Sequence, residues 1–242
     1  MPKPVDDPLN SNAKAGVDEK PGQIIPLDSV FKDENGRTLR LKDMIDRPVV
    51  FIPAYYLCPK SCSLGLSNLA LALGSAPVVP GKDYRVISLS FNDEETPAIA
   101  KKAKHDYMGL LPRNFPENEW FFLTGTKKNI HAVLDALGYG FKKDASGSFV
   151  HPNALIIIAG NGKIIRYIYG STFLGADIAM GISEARSGIP SISVKKILSF
   201  CFNYDPKSNR YVFKTLQISA IIIGICFALL VLFVLRKKNQ AK

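Results

Sequence analysis

Pro48-Val-Val-Phe-Ile-Pro-Ala-Tyr-Tyr-Leu-Cys-Pro-Lys-Ser-Cys62 is the stretch on which the reading of this chain turns. Val49 to Ile52 is a short unbroken apolar run, the pattern of a buried strand. Beyond it stand Cys58 and Cys62, four residues apart, with Pro59 suited to the opening turn of a helix. Residues i and i+4 share one helical face, so the two sulfurs can converge where the strand becomes a helix. A helix N-terminus also favours the thiolate, the form that attacks and that ligates metal. Spacing alone leaves an inert structural disulfide, or two unrelated core thiols, equally open.

A third residue bears on that choice. His151 lies in Phe149-Val-His-Pro-Asn153, just ahead of the strand-like run Ala154 to Ala159. Two thiolates and an imidazole make a soft S/N donor set that suits copper better than magnesium or calcium, with zinc also compatible on softness. His105 and His131 read as ordinary surface or helix-face residues.

Outward from the opening stretch, Gln23 to Leu41 reads as a hairpin around Asp33-Glu-Asn-Gly36. Ser63 to Leu73 carries leucines at helical spacing, and Tyr84 to Phe91 is the next strand. Thr96-Pro97 opens a helix to about Tyr107. Trp120 to Leu123 is a third strand, Lys127 to Leu137 a helix ending at Gly138, and Ala154 to Ala159 with Ile164 to Tyr169 a closing hairpin around Asn161-Gly162. Strands alternating with helices, then an antiparallel pair, predict an α/β domain over residues 23–200: a thioredoxin-like mixed sheet flanked by helices. Gly160-Asn-Gly162 precedes a strand rather than a helix, which excludes a phosphate cradle there.

The 242 residues suffice for one sizeable domain with appendages. Residues 1–22, rich in Pro, Asp, Lys and Asn, read as a flexible leader without a basic-then-apolar signal pattern. Residues 201–215 form a juxtamembrane segment. Leu216 to Leu235 is a 20-residue stretch free of charge, long enough to cross a bilayer as a helix, and the basic tail 236–242 follows it. The positive-inside rule puts Arg236, Lys237, Lys238 and Lys242 in the cytoplasm and the preceding domain on the extracytoplasmic, periplasmic side of a single-pass protein. Lys207, Arg210 and Lys214 on the other flank weaken that bias. Cys201 and Cys226 are unpaired by spacing. The net charge of +10 is scattered in short doublets such as Lys101-Lys102, without an aromatic-interleaved stripe, which argues against nucleic acid.

From about Gly22 to Tyr211 these residues resemble the Sco/SenC family of copper chaperones for cytochrome c oxidase assembly. The resemblance is carried by the quoted Pro48–Cys62 stretch, by Trp120-Phe-Phe-Leu-Thr-Gly125 and its helix, and by Phe149-Val-His-Pro152. Cys201-Phe-Asn-Tyr-Asp-Pro206, with Tyr211 and the terminal span, resembles a subgroup anchored at its C-terminus. The resemblance implies that Cys58, Cys62 and His151 hold a copper ion for the binuclear centre of cytochrome c oxidase subunit II, the implied partner, or keep that centre's cysteines reduced. The chain departs from the family at Asn92, where relatives usually carry Asp; Asp93 follows it. A chaperone turns over no substrate, so the implied protein is not an enzyme. The competing expectation is a membrane-tethered thiol-disulfide oxidoreductase, with Cys58 attacking and Cys62 resolving, although its spacing differs from the C-x-x-C of thioredoxin-type enzymes.

Overall fold

The structure is a computed structural model that describes residues 15–57, 61–143, 149–170, 172–191, 202–205, 210–213, 223–225 and 227, with backbone alone at 61–62, 202–205 and 210–213. Two compact units divide the chain, residues 1–191 and 192–242.

The first unit contains, in order, β1 (Gly16–Val17), β2 (Val30–Lys32), β3 (Thr38–Arg40), α1 (Leu41–Met44), β4 (Val49–Ala54), α2 (Ser61–Ser75), β5 (Arg85–Ser90) and α3 (Pro97–Met108). There follow β6 (Trp120–Leu123), α4 (Lys127–Ala136), β7 (Tyr139–Gly140), β8 (Lys142–Lys143), β9 (Phe149–Val150), β10 (Ala154–Ile158), β11 (Ile164–Tyr169) and α5 (Gly175–Ser187). Five strands make the central sheet in the order β11-β10-β4-β5-β6. Neighbours β4, β5 and β6 run parallel, while β10 is antiparallel to both β4 and β11. This is the mixed α/β, thioredoxin-like arrangement expected from the order of elements.

Strand β4 lies in the middle, and all six of its residues are buried. Its alternate side chains feed two cores: Val50, Ile52 and Ala54 pack with α2, α3 and α5, and Val49 and Phe51 pack with the β2–β3 hairpin, α1 and α4. A strand covered on both faces must be continuously apolar, which is why no polar alternation appears in its sequence. Pro53 is tolerated there because pairing with β10 reaches only Phe51, while Ala54 O still accepts from Phe91 N on the β5 side.

The helices start as their sequences dictate. Thr96 caps α3, its side chain accepting from Ile99 N, with Pro97 in the first turn; Thr126 caps α4 through Asn129 N. At the hairpin tip, Gly36 takes φ 80°, and Asp33 accepts from the backbone N–H groups of Asn35 and Arg37. The neighbouring Glu34 is buried, bonded at 2.6 Å to Lys104 of α3 and at 3.2 Å to Phe122 N of β6, which ties the hairpin to the sheet.

One expectation changes. Residues 16–22 are not a free leader: β1 pairs with β7, and Gly22 N donates to Ile164 O. The compact unit that holds the sheet takes in residues up to Ser191, and the expected boundary at residue 200 lies outside the described residues. The helix α5 was not foreseen from the sequence. It buries Ile178, Gly181, Ile182 and Ala185 along one stripe against the sheet.

In the second unit, Phe202–Asp205 pairs antiparallel with Arg210–Phe213, inside the stretch expected to be juxtamembrane. Among the described residues no helix is long and apolar enough to cross a membrane. The 216–235 stretch lies outside them except for 223–225 and 227, which are helical and carry exposed Ile223, Ile225 and Phe227.

Candidate metal centre

In open α/β sheets ligands gather beyond the carboxyl ends of the strands, and the chain leaves the carboxyl end of central β4 directly into the Cys58–Cys62 segment. Cys58 lies outside the described residues. The backbone of Cys62 sits in the first turn of α2, and its side chain also lies outside them. Among the described residues no three His, Cys, Asp or Glu side chains are grouped as a metal site.

The residues that flank this segment are defined. Upstream, the half-buried ring of Tyr55 lies 5.2 Å from Phe149 and 6.2 Å from Phe91, and Phe91 in turn lies 5.2 Å from the His151 ring. Downstream, Gly65 of α2 packs on Asn153, so close that a Cβ on Gly65 would come within 3.2 Å of Asn153 Oδ1. Residues three before Cys58 and three after Cys62 therefore both pack onto the segment that surrounds His151.

His151 itself is half-buried and anchored through Nδ1, which lies 3.1 Å from Pro152 O and 3.2 Å from Tyr139 Oη. A carbonyl only accepts, so a hydrogen bond from Nδ1 to Pro152 O selects the Nδ1–H tautomer, in which Nε2 carries the lone pair and is the ligating nitrogen. Tyr139 Oη donates to the same Pro152 carbonyl at 2.7 Å, which fixes the plane of the group. Burial pushes the imidazole pKa below its ordinary value, against a smaller opposing effect of the Pro152 bond. The neutral ring that metal binding requires is thus favoured at neutral pH.

A buried carboxylate that the sequence reading passed over holds Tyr56 and Leu57, the residues that lead into the cysteine segment. Glu95 Oε1 accepts from Leu57 N at 2.7 Å, and its Oε2 accepts from Tyr56 N at 3.0 Å and from Ser90 Oγ at 2.6 Å. Burial raises its pKa, and the hydrogen bonds from Ser90, Tyr56 and Leu57 oppose that rise. Asn92 is buried and accepts from Glu94 N through Oδ1, closing the turn that aims Glu95. The ring of Tyr56 is core, with its hydroxyl on Ser88 O at 2.8 Å. Of the other histidines, His105 is exposed beside Asp106, and His131 lies against Phe141 at 5.6 Å.

No protein-family model matches the chain, and no curated relative does. Solved structures do. A protein of Aquifex aeolicus VF5, provisionally described as an electron transfer protein, is similar at 25% identity and a TM-score of 0.63 over 69% of this chain and 95% of its own. Arabidopsis thaliana ScoI, solved with copper bound, is 16% identical with a TM-score of 0.55 over 69% of this chain and 99% of its own. BsSco, a member of the Sco family of cytochrome c oxidase assembly proteins in which a disulfide switch was identified, is 18% identical with a TM-score of 0.53 over 71% and 96%. The globular domain of this chain has the thioredoxin-like fold that these Sco proteins share.

Proposed function

We propose that this protein is a Sco-type, membrane-anchored copper chaperone. Cys58, Cys62 and His151 hold the ion, and cytochrome c oxidase subunit II receives it for its binuclear centre. The observation that carries the proposal is the packing of both flanks of the cysteine segment, through Tyr55 and through Gly65, onto the segment around His151. The soft S/N donor set fits copper, and the Nδ1–H tautomer leaves Nε2 to face it. Reduced thiols and a neutral imidazole are the loading state, so acid and oxidation to the Cys58–Cys62 disulfide both oppose loading. Likeness to copper-bound ScoI and to BsSco supports this reading. The 216–235 stretch is proposed as the single membrane span, with the basic tail 236–242 cytoplasmic and the domain periplasmic. The exposed Ile223, Ile225 and Phe227 suit a lipid-facing helix.

The second reading is a thiol-disulfide oxidoreductase that reduces the cysteines of the same oxidase centre, favoured by the disulfide switch found in BsSco. Anaerobic copper titration of the reduced full chain in detergent, beside Cys58→Ser, Cys62→Ser and His151→Ala, separates the two. One equivalent of tight copper that each substitution weakens supports the chaperone. An absence of stoichiometric copper, with a reversible Cys58–Cys62 disulfide, overturns it in favour of the reductase.

A further inference from the structure

We propose that Glu95 is a positioning residue for the thiol pair: a buried carboxylate clamp that sets where Cys58 leaves the central strand. The inference rests on Cys58 and Cys62 acting as a pair, as proposed above.

Strand β4 ends at Ala54, so the N–H groups of Tyr56 and Leu57 have left the sheet ladder. A backbone donor that turns inward needs an acceptor, and here one side chain, 4% exposed, serves the buried Tyr56 N–H and the part-buried Leu57 N–H with its two oxygens. Leu57 is the residue bonded to Cys58, and the 2.7 Å bond from Leu57 N to Glu95 Oε1 holds the Tyr56–Leu57 peptide plane, the last one before Leu57 hands the chain to Cys58. The carboxylate is itself held. Ser90 Oγ donates to it at 2.6 Å, Glu95 N donates to Asn92 O, and Thr96 next to it caps α3. The Tyr56 side chain is locked in the core, so with both N–H groups held the backbone freedom left ahead of Cys58 is the φ and ψ of Leu57. A water-accepting loop end would have needed no carboxylate at this depth, because burying one is costly unless its bonds are specific. No other Asp or Glu side chain among the described residues accepts from the backbone N–H groups of this turn.

The test reads the thiols directly and needs no metal. Two protein thiols and one oxidised glutathione give the Cys58–Cys62 disulfide and two reduced glutathiones, so the equilibrium constant in a glutathione buffer measures how well the two sulfurs are presented to each other. It is measured for the metal-free full chain in detergent, with Cys201→Ser and Cys226→Ser in the background. In Glu95→Gln the amide NH2 faces backbone donors and at least one bond is lost; the constant is expected to change about tenfold, the effect of one lost hydrogen bond to a charged group. Ser90→Ala leaves both backbone bonds in place and is expected to change it about threefold or less. Leu134→Ala, in the core on the other sheet face, reports what general destabilisation does and is expected to leave the constant unchanged. If Glu95→Gln does not fold, Glu95→Asp carries the test, since its shorter side chain keeps the charge and can reach only one donor. A native constant in the Glu95 variant, or an equal change in Leu134→Ala, overturns the clamp. Copper titration of the unmutated chain separates this from the metal reading: failure to bind copper sinks the chaperone while the glutathione constant still tests Glu95.

Discussion

Gly65 lies against Asn153, where a Cβ would come within 3.2 Å of the side-chain oxygen. This contact joins the first turns of α2, which carry Cys62, to the strand entry that carries His151. A helical glycine normally costs about 0.5–1 kcal/mol relative to alanine, so its presence here needs a local reason, and the close approach supplies one. Gly65→Ala, which asks Asn153 to give by a few tenths of an ångström, is expected to change copper affinity about twofold or less. Gly65→Leu separates the two segments and is expected to lower affinity at least about tenfold with the fold retained, as judged by circular dichroism beside the copper titration.

Tyr139 bears on the proposed metal site through a carbonyl. Its hydroxyl donates to Pro152 O, the acceptor that sets the His151 tautomer. Nitrogen NMR of the metal-free chain is expected to show Nδ1 protonated, with a titration midpoint below the ordinary 6.5. Tyr139→Phe is expected to weaken copper binding about tenfold and to mix the tautomers. An unchanged tautomer with unchanged affinity would remove Tyr139 from the site.

Glu95 and His151 give pH dependences of opposite sign in the metal-free chain. The Glu95 pKa is raised, so between 4.5 and its folded value the folded chain holds a proton that the unfolded chain has released. Its contribution to stability is complete below about 4.5 and is lost as pH rises through the folded value. The His151 pKa is lowered, so its contribution is present above 6.5 and lost as pH falls through the folded value. Denaturant unfolding across pH 4–8 is expected to show wild-type stability falling relative to Glu95→Gln as pH rises through the acid side of this range. A parallel pair of curves would show that Glu95 has its ordinary pKa.

The sheet strands were legible because burial on two faces leaves an unmistakable apolar run, as in Val49–Ile52 and Ala154–Ile158. The α3 start was legible from Thr96-Pro97, and the end of α4 from Gly138. Helix α5 was hidden because glycines occupy Gly175 and Gly181, where Cβ atoms would strike Ser75 and Ile157; close packing replaced the large apolar side chains by which a helix is recognised. The Glu95 clamp was hidden for another reason. Its partners are backbone N–H groups 38 and 39 residues away, which leave no mark on side-chain identity. The only local sign was a carboxylate directly before a Thr-Pro helix start. Tyr139 was hidden likewise, since its target is the carbonyl of Pro152.

Gly138 shows how residues 16–22 came to belong to the domain. It has φ 62° after the last turn of α4, and a Cβ there would lie 1.8 Å from Asp18 O, inside the backbone of the segment it faces. Asp18 N donates to Gly138 O at 2.8 Å, and Lys20 Nζ reaches Asp135 O at 2.7 Å. Gly36 provides the control, because its φ of 80° carries the same left-handed cost while nothing lies within 4 Å of its Cβ position. Gly36→Ala is therefore expected to cost about 1 kcal/mol, the backbone term alone. Gly138→Ala adds the displacement of residues 16–18 and is expected to cost about 2–4 kcal/mol in denaturant unfolding. A glutamate-specific protease should then cut after Glu19 faster in Gly138→Ala than in Gly36→Ala, since only the first substitution lifts the segment from β7. Equal cleavage in the two variants would mean that the contact at Gly138 does not hold the segment down, and that its remaining bonds to Ile164 and Tyr167 suffice.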